Sequence, residues 1–203
     1  WAKRPANRPK CTSQSLRSHV WAARFFESSV TGAFEGYFFN GLLIDHLRRC
    51  IGDRKLPNNR LQLEITEDAV FDDEQGVQRT LSELQALGFG ISLDDFGAGH
   101  SSLKRLMALP FCEIKIDRTF VAGLETEPRA LPILDAILSV GRALGVECVA
   151  EGVEQPHQFE ALQHLGCHRF QGFLFSHAVP VDAFVALVRA QRPLPPNTRV
   201  KPA

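Results

Sequence analysis

The chain has 203 residues, and 23 Lys plus Arg balance 23 Asp plus Glu, so its formal charge at neutral pH is zero. That balance argues against a general nucleic-acid binder, and no apolar stretch approaches the ~20 residues needed to span a bilayer. Five cysteines (Cys11, Cys50, Cys112, Cys148 and Cys167) are odd in number and contain no Cys-x-x-Cys pair; they support neither a disulfide framework nor a zinc site and fit a reducing cytoplasm.

Residues 1–36 are rich in Arg, Lys and Ser, carry no acidic residue before Glu27, and lack periodicity. A separate disordered segment is expected there. A globular domain is expected over 37–190, followed by a proline-broken tail over 191–203. Inside the domain, Leu61 to Glu67 alternates apolar and polar residues as a strand does, with Glu64 in its polar set. Val77, Leu81, Leu84 and Leu87 then recur at helical spacing. Ile91-Ser92-Leu93 runs as a strand into Asp94-Asp95-Phe96-Gly97, and Glu113 to Asp117 alternates again, presenting Lys115 and Asp117. Ile133, Ile137, Leu138 and Leu144 mark a second helix, and Val146 to Gly152 a strand ending on Glu151. Phe159, Leu162 and Leu165 mark a third helix, Phe170 to Leu174 a strand offering Gln171, and Phe184, Leu187 and Val188 a last helix.

Strands alternating with helices at this interval imply βαβ units and a parallel sheet. Polar residues at the carboxyl ends of successive strands are how a (β/α) barrel assembles an active site. Taken alone, Asp94-Asp95 reads as a turn or a helix cap. Its recurrence beside Glu64, Lys115, Glu151 and Gln171 favours convergence on one rim. His157, His164 and His168 read as surface residues, and Cys112 and Cys148 as buried hydrophobes.

Glu64-Ile65-Thr66-Glu67, Asp94-Asp95-Phe96-Gly97, Lys115-Ile116-Asp117-Arg118, Glu151-Gly152-Val153-Glu154 and Gln171-Gly172-Phe173-Leu174-Phe175 occur in that order. Together they resemble the bacterial EAL domain, a hydrolase of cyclic di-GMP. The resemblance runs from about Phe38 to Phe184. It implies an α/β fold of the TIM-type (β/α) barrel class, two Mg²⁺ or Mn²⁺ ions, and cyclic di-GMP as the partner. Carried over, Glu64 and Asp94 are similar to metal ligands, and Asp95 to a ligand of the second metal. Lys115 resembles a lysine that orients the attacking water, and Glu151 a metal ligand or base. Glu154 resembles an anchor of the loop after the Asp pair, and Gln171 a residue assisting the site. Relatives of this kind carry upstream sensor or GGDEF domains.

Three departures qualify that reading. Ahead of Glu64 there is no Glu-Ala-Leu, and no Asn between Asn7 and Asn40, although both motifs supply ligands in the family. The loop 98–102 has Ala98 where Thr or Ser is usual and His100 where Tyr is usual. A closed eight-stranded barrel takes about 250 residues, and only five strands are recognisable here. The expectation is an incomplete barrel lacking its first strands, through a rearranged junction near Tyr37 or a divergent cap. An open sheet edge would invite pairing into a homodimer. Two function classes follow: a metal-dependent phosphodiesterase with impaired turnover, or a non-catalytic remnant that binds cyclic di-GMP or another protein.

Overall fold

The structure, a computed structural model, describes residues 42–51, 62–67, 74–97 and 103–189. The expectations for 1–36, for the loop 98–102 and for the tail 191–203 lie outside the described residues. In chain order the elements are α1 (Leu42–Ile51), β1 (Gln62–Thr66), α2 (Glu74–Ala86), β2 (Gly90–Phe96), α3 (Leu103–Ala108), β3 (Glu113–Ile116) and α4 (Arg118–Ala122). A 3-10 turn at Gly123–Glu125 leads to α5 (Ala130–Leu144), β4 (Glu147–Ala150), α6 (Pro156–His164), β5 (Arg169–Phe170) and α7 (Val181–Arg189).

All five strands pair in parallel, in the order β1-β2-β3-β4-β5. A doubly wound sheet reverses its strand order at a switch point. A sheet that always adds the next strand on the same side is instead an arc of a (β/α) barrel.

Strand alternation sorts the side chains to two faces. One face carries the registered rows Leu63–Ile91, Ile65–Leu93–Ile114–Cys148 and Ile116–Ala150–Phe170. Most of these residues join one apolar cluster with Val77, Leu81 and Leu84 of α2 and Leu134, Ile137 and Leu138 of α5. The helices therefore cover this outer face. Val77, Leu81 and Leu84 are fully buried, and burying a side chain of that size contributes roughly 1.5–3 kcal/mol. Helix α5 lies close on β4 because Gly141 faces Cys148, whose Sγ stands 2.2 Å from where a Cβ would be.

The opposite, inner face is polar. Gln62, Glu64, Thr66, Ser92, Asp94, Glu113, Lys115, Glu147, Glu151 and Arg169 occupy the alternate positions, with the buried Val149 as an apolar exception on β4. The ends of the strands depart from the sequence pattern. The strand expected over Phe170 to Leu174 stops at Phe170, and residues 173–175 turn. Close packing explains it: Gly172 lies against the backbone of Val153, 2.1 Å from its carbonyl oxygen to where a Cβ would be.

Candidate functional site

At the carboxyl end of the sheet the inner face gathers around one ammonium. Lys115 Nζ lies 2.9 Å from Glu64 Oε2, 2.8 Å from Asp94 Oδ1 and 2.9 Å from Glu151 Oε1. β3 is the central strand, so a long side chain from it reaches β1, β2 and the end of β4 at once. Its side chain is 2% exposed. Burial on its own would push the lysine pKa down, but the carboxylates, Glu151 foremost and then Asp94 and Glu64, hold it above the ordinary lysine value.

Asp95 reaches the same cluster through a bulge. Leu93 pairs with Ile114 but Phe96 pairs with Ile116, so β2 carries one extra residue between them. Simple alternation would send Asp94 inward and Asp95 outward. A bulge re-aims a side chain, and here Asp95 takes a φ of 54°. Asp tolerates this left-handed conformation better than most residues do. As a result, ligand oxygens of Asp94, Asp95 and Glu151 all lie within 4.8 Å of one another. Glu151 is buried, Asp94 half-buried and Asp95 exposed, so the cluster opens outward.

One ammonium set among Glu64, Asp94, Asp95 and Glu151 leaves a surplus of negative charge within the cluster. The donors are all carboxylate oxygens, the set that suits hard divalent cations such as Mg²⁺, Mn²⁺ or Ca²⁺. The residues present thus fit a divalent ion, with Asp94, Asp95 and Glu151 as the ones that would hold it.

The remaining sequence-derived positions divide. Gln171 follows β5 directly; its N–H donates to Ala150 O at 2.8 Å and its carbonyl accepts from Val153 N at 3.0 Å, which fixes its backbone beside the Glu151 segment. Asp117 directly follows β3 and caps α4, accepting from Thr119 N at 2.8 Å. Glu154 is exposed, and its backbone N–H donates to Gln158 Oε1 at 2.9 Å.

The anchoring role expected of Glu154 concerns 98–102, outside the described residues; among those described, the start of that loop is held by Glu67. That carboxylate is 2% exposed and accepts from Gly97 N at 3.1 Å. Gly97 has a φ of +97°, and the ring of Phe120 comes within 2.7 Å of where its Cβ would be. The loop therefore leaves β2 between a buried carboxylate and an aromatic ring. Glu67 was legible only as the second acidic residue of Glu64-Ile65-Thr66-Glu67, three positions on from Glu64.

Two other motifs are placed away from the rim. A literal Glu-Ala-Leu occurs at Glu160-Ala161-Leu162, but on α6, with Leu162 buried in the apolar cluster. His164 and His168 are four residues apart, yet α6 ends at His164 and Gly166 takes a φ of 82°. They do not share a helical face, and both are exposed.

Comparison with known proteins agrees with the geometry. Residues 37–178 match the family described as EAL domain. The cyclic di-GMP phosphodiesterase RocR of Pseudomonas aeruginosa is 37% identical over 143 residues, 70% of this chain and 36% of RocR. Among solved structures, the PaMucR phosphodiesterase in complex with cyclic di-GMP is similar at a TM-score of 0.70 and 40% identity, covering 74% of this chain and 61% of that one. BlrP1 of Klebsiella pneumoniae, in a manganese and cyclic di-GMP complex, is similar at a TM-score of 0.65 and 29% identity, covering 70% of this chain and 37% of that one. The chain spans 22%, 19% and 36% of the length of three curated relatives it matches.

Proposed function

The chain belongs to the EAL domain family, whose fold is a TIM-type barrel, and from that premise we propose that its rim is a divalent-cation site for hydrolysis of cyclic di-GMP to the linear dinucleotide. The observation that carries this reading is the Lys115 hub: three carboxylates bound to one buried ammonium, beside a cluster of Asp94, Asp95 and Glu151 oxygens. Such a cluster repels a phosphodiester unless cations invert its sign. Divalent ions supply that inversion and lower the pKa of water.

The chain's own residues do the rest. Asp94, Asp95 and Glu151 would hold a divalent cation, with Glu64 alongside. Lys115 fixes one oxygen each of Glu64, Asp94 and Glu151 and presents a positive charge to the attacking water and the anionic phosphate. Glu151 accepts a proton from that water when it is not fully engaged as a ligand. Glu67 holds the loop that starts at Gly97, and Gln171 contacts the substrate side of the rim.

Turnover by this chain is proposed to be slow. Ahead of Glu64 the Glu-Ala-Leu and Asn ligands of the family are absent, and in-line attack needs both cations placed to a fraction of an ångström. A cytoplasmic site of action, upstream sensor or GGDEF partners and a homodimer belong to the same proposal. No described helix is long and apolar enough to cross a membrane.

The test is release of linear dinucleotide from cyclic di-GMP with Mn²⁺ present, alongside calorimetric binding of Mn²⁺. Slow release that disappears in Asp94→Asn and Glu151→Gln, with Mn²⁺ binding weakened in both, supports the reading. Robust turnover would overturn the impairment, and Mn²⁺ binding unaltered by both substitutions would overturn the site.

A further inference from the structure

Beneath the rim the inner face carries a second charged layer that the proposed reaction does not use. Glu113 stands two residues before Lys115 on β3 and is its inverse: a buried carboxylate, 8% exposed, gathering donors from neighbouring strands. Its Oε1 accepts from Gln62 Nε2 of β1 and, at 3.1 Å, from Ser92 Oγ of β2. Its Oε2 lies 3.1 Å from Arg169 Nη1 of β5, and Arg169 Nε lies 3.5 Å from Glu147 Oε2 of β4. All five strands therefore meet in this layer.

The two layers are in step. On β1, β2 and β3, Gln62 precedes Glu64 by two residues, Ser92 precedes Asp94 and Glu113 precedes Lys115, while on β4 the apolar Val149 stands between Glu147 and Glu151. On a strand, residues two apart point the same way, so each lower residue lies directly under an upper one. The contacts also run diagonally to the register. Gln62 pairs with Gly90 and Glu113 with Ser92, yet Gln62 reaches Glu113, as strand tilt in a barrel requires.

Lower layers of (β/α) barrels are filled mainly by branched apolar residues, which pack in many registers. Directional polar contacts admit one register, and fixing register is the best attested use of buried ionic groups. We propose that Glu113 is a positioning residue: through Gln62, Ser92 and Arg169 it sets the relative height of β1, β2, β3 and β5, and so the spacing of the Lys115 cluster above. β5 has the most to gain, because only Arg169 and Phe170 pair with β4. This role rests on the rim being the metal site proposed above, but its first readout needs no metal.

That readout is the Lys115 ammonium itself, observed by proton–nitrogen correlation on lysine-labelled, metal-free chain. A buried, triply bound ammonium exchanges its protons slowly and gives its own resonance. Glu113→Gln keeps the shape but turns a donor toward Arg169, and should shift this resonance and speed its exchange at least fivefold. The triple variant Ser92→Ala, Glu113→Met, Arg169→Met replaces the network by apolar packing. It should melt near the parent, yet show the same change at Lys115 and bind Mn²⁺ at least fivefold more weakly. If the parent shows the resonance and either folded variant leaves both it and Mn²⁺ affinity as in the parent, the positioning role is overturned. If the parent binds no Mn²⁺, the metal-site reading falls, while the Lys115 resonance still decides whether Glu113 positions that cluster.

Discussion

Replacing Lys115 by Met removes the only cation among three carboxylates while keeping much of the side chain's volume. Breaking a buried ion pair by deleting one partner costs about 3–5 kcal/mol, because the other charge is left uncompensated. Here Asp94 and Glu151 are 14% and 9% exposed but Glu64 is 40% exposed, so water screens one of the three contacts and the lower end, about 3 kcal/mol, is appropriate. A chain of 150–250 residues loses about 2–4 °C of Tm per kcal/mol. Lys115→Met should therefore lower the metal-free melting temperature by roughly 6–12 °C. The same change leaves a more negative pocket, so Mn²⁺ should raise the Tm of the variant by more than it raises the parent's, by mass action on the folded state. Differential scanning fluorimetry in chelator and then in millimolar Mn²⁺ measures both quantities. A variant that melts with the parent in chelator, or that responds to Mn²⁺ no more than the parent does, would refute the view that Lys115 is the resident counter-charge of this site.

Four further outcomes follow from the geometry. Glu67→Gln should speed proteolysis at the loop after Gly97 several-fold, since Glu67 holds Gly97 N; limited digestion followed by mass spectrometry reads this. Burial pushes the Glu113 carboxyl above its ordinary value despite Arg169, Ser92, Gln62 and Lys115 nearby. Its contribution to stability is therefore full below the ordinary carboxylate range and is lost as pH rises through the raised value. Thermal melts from acid to neutral pH should accordingly show Glu113→Gln gaining on the parent as pH rises. Burial, then Cys167 and Glu147, push the Cys148 thiol up from 9.0 to about 12, so its alkylation at pH 8 should be on the order of a thousandfold slower than in the unfolded chain, measured on the Cys148 peptide. Gly172→Ala should cost more than 3 kcal/mol, beyond ordinary overpacking, because the new methyl would overlap the Val153 backbone; urea melts measure that loss.

What could be read from the sequence, and what could not, divides along the range of the interaction involved. The strands were legible because burial on one face forces period-two alternation, and the run Leu61 to Glu67 and the structural strand Gln62–Thr66 differ only at their ends. Helices α2, α5 and α6 were legible for the same reason at period 3.6. The meeting of Glu64, Asp94, Glu151 and Lys115 followed from placing each at a strand's carboxyl end. Asp95 was legible as a residue but not as a geometry: only a bulge turns it to the inner face, and pairing against β3, not local sequence, creates the bulge. Gln171 was assigned to a strand that stops one residue earlier, because the approach of Val153 to Gly172 is a contact between segments.

Glu67 and Glu113 escaped for a deeper reason. Glu113 is an acidic residue in an alternating run, which reads as solvated strand surface when the sheet is taken as flat, and Glu67 directly follows β1, two residues after the buried Ile65. In a curved sheet the inner face closes on itself, and a carboxylate placed as Glu113 is must find donors on neighbouring strands or remain protonated. Glu67 finds Gly97 N, thirty residues on, and Glu113 finds Arg169, fifty-six residues on. Neither separation is marked by spacing or composition. The Glu67 contact joins the ends of the neighbouring strands β1 and β2, and the Glu113 contacts cross several strands, so both become visible only once strand order and register are known, and in this chain they lie beneath and beside the residues that the local pattern singles out.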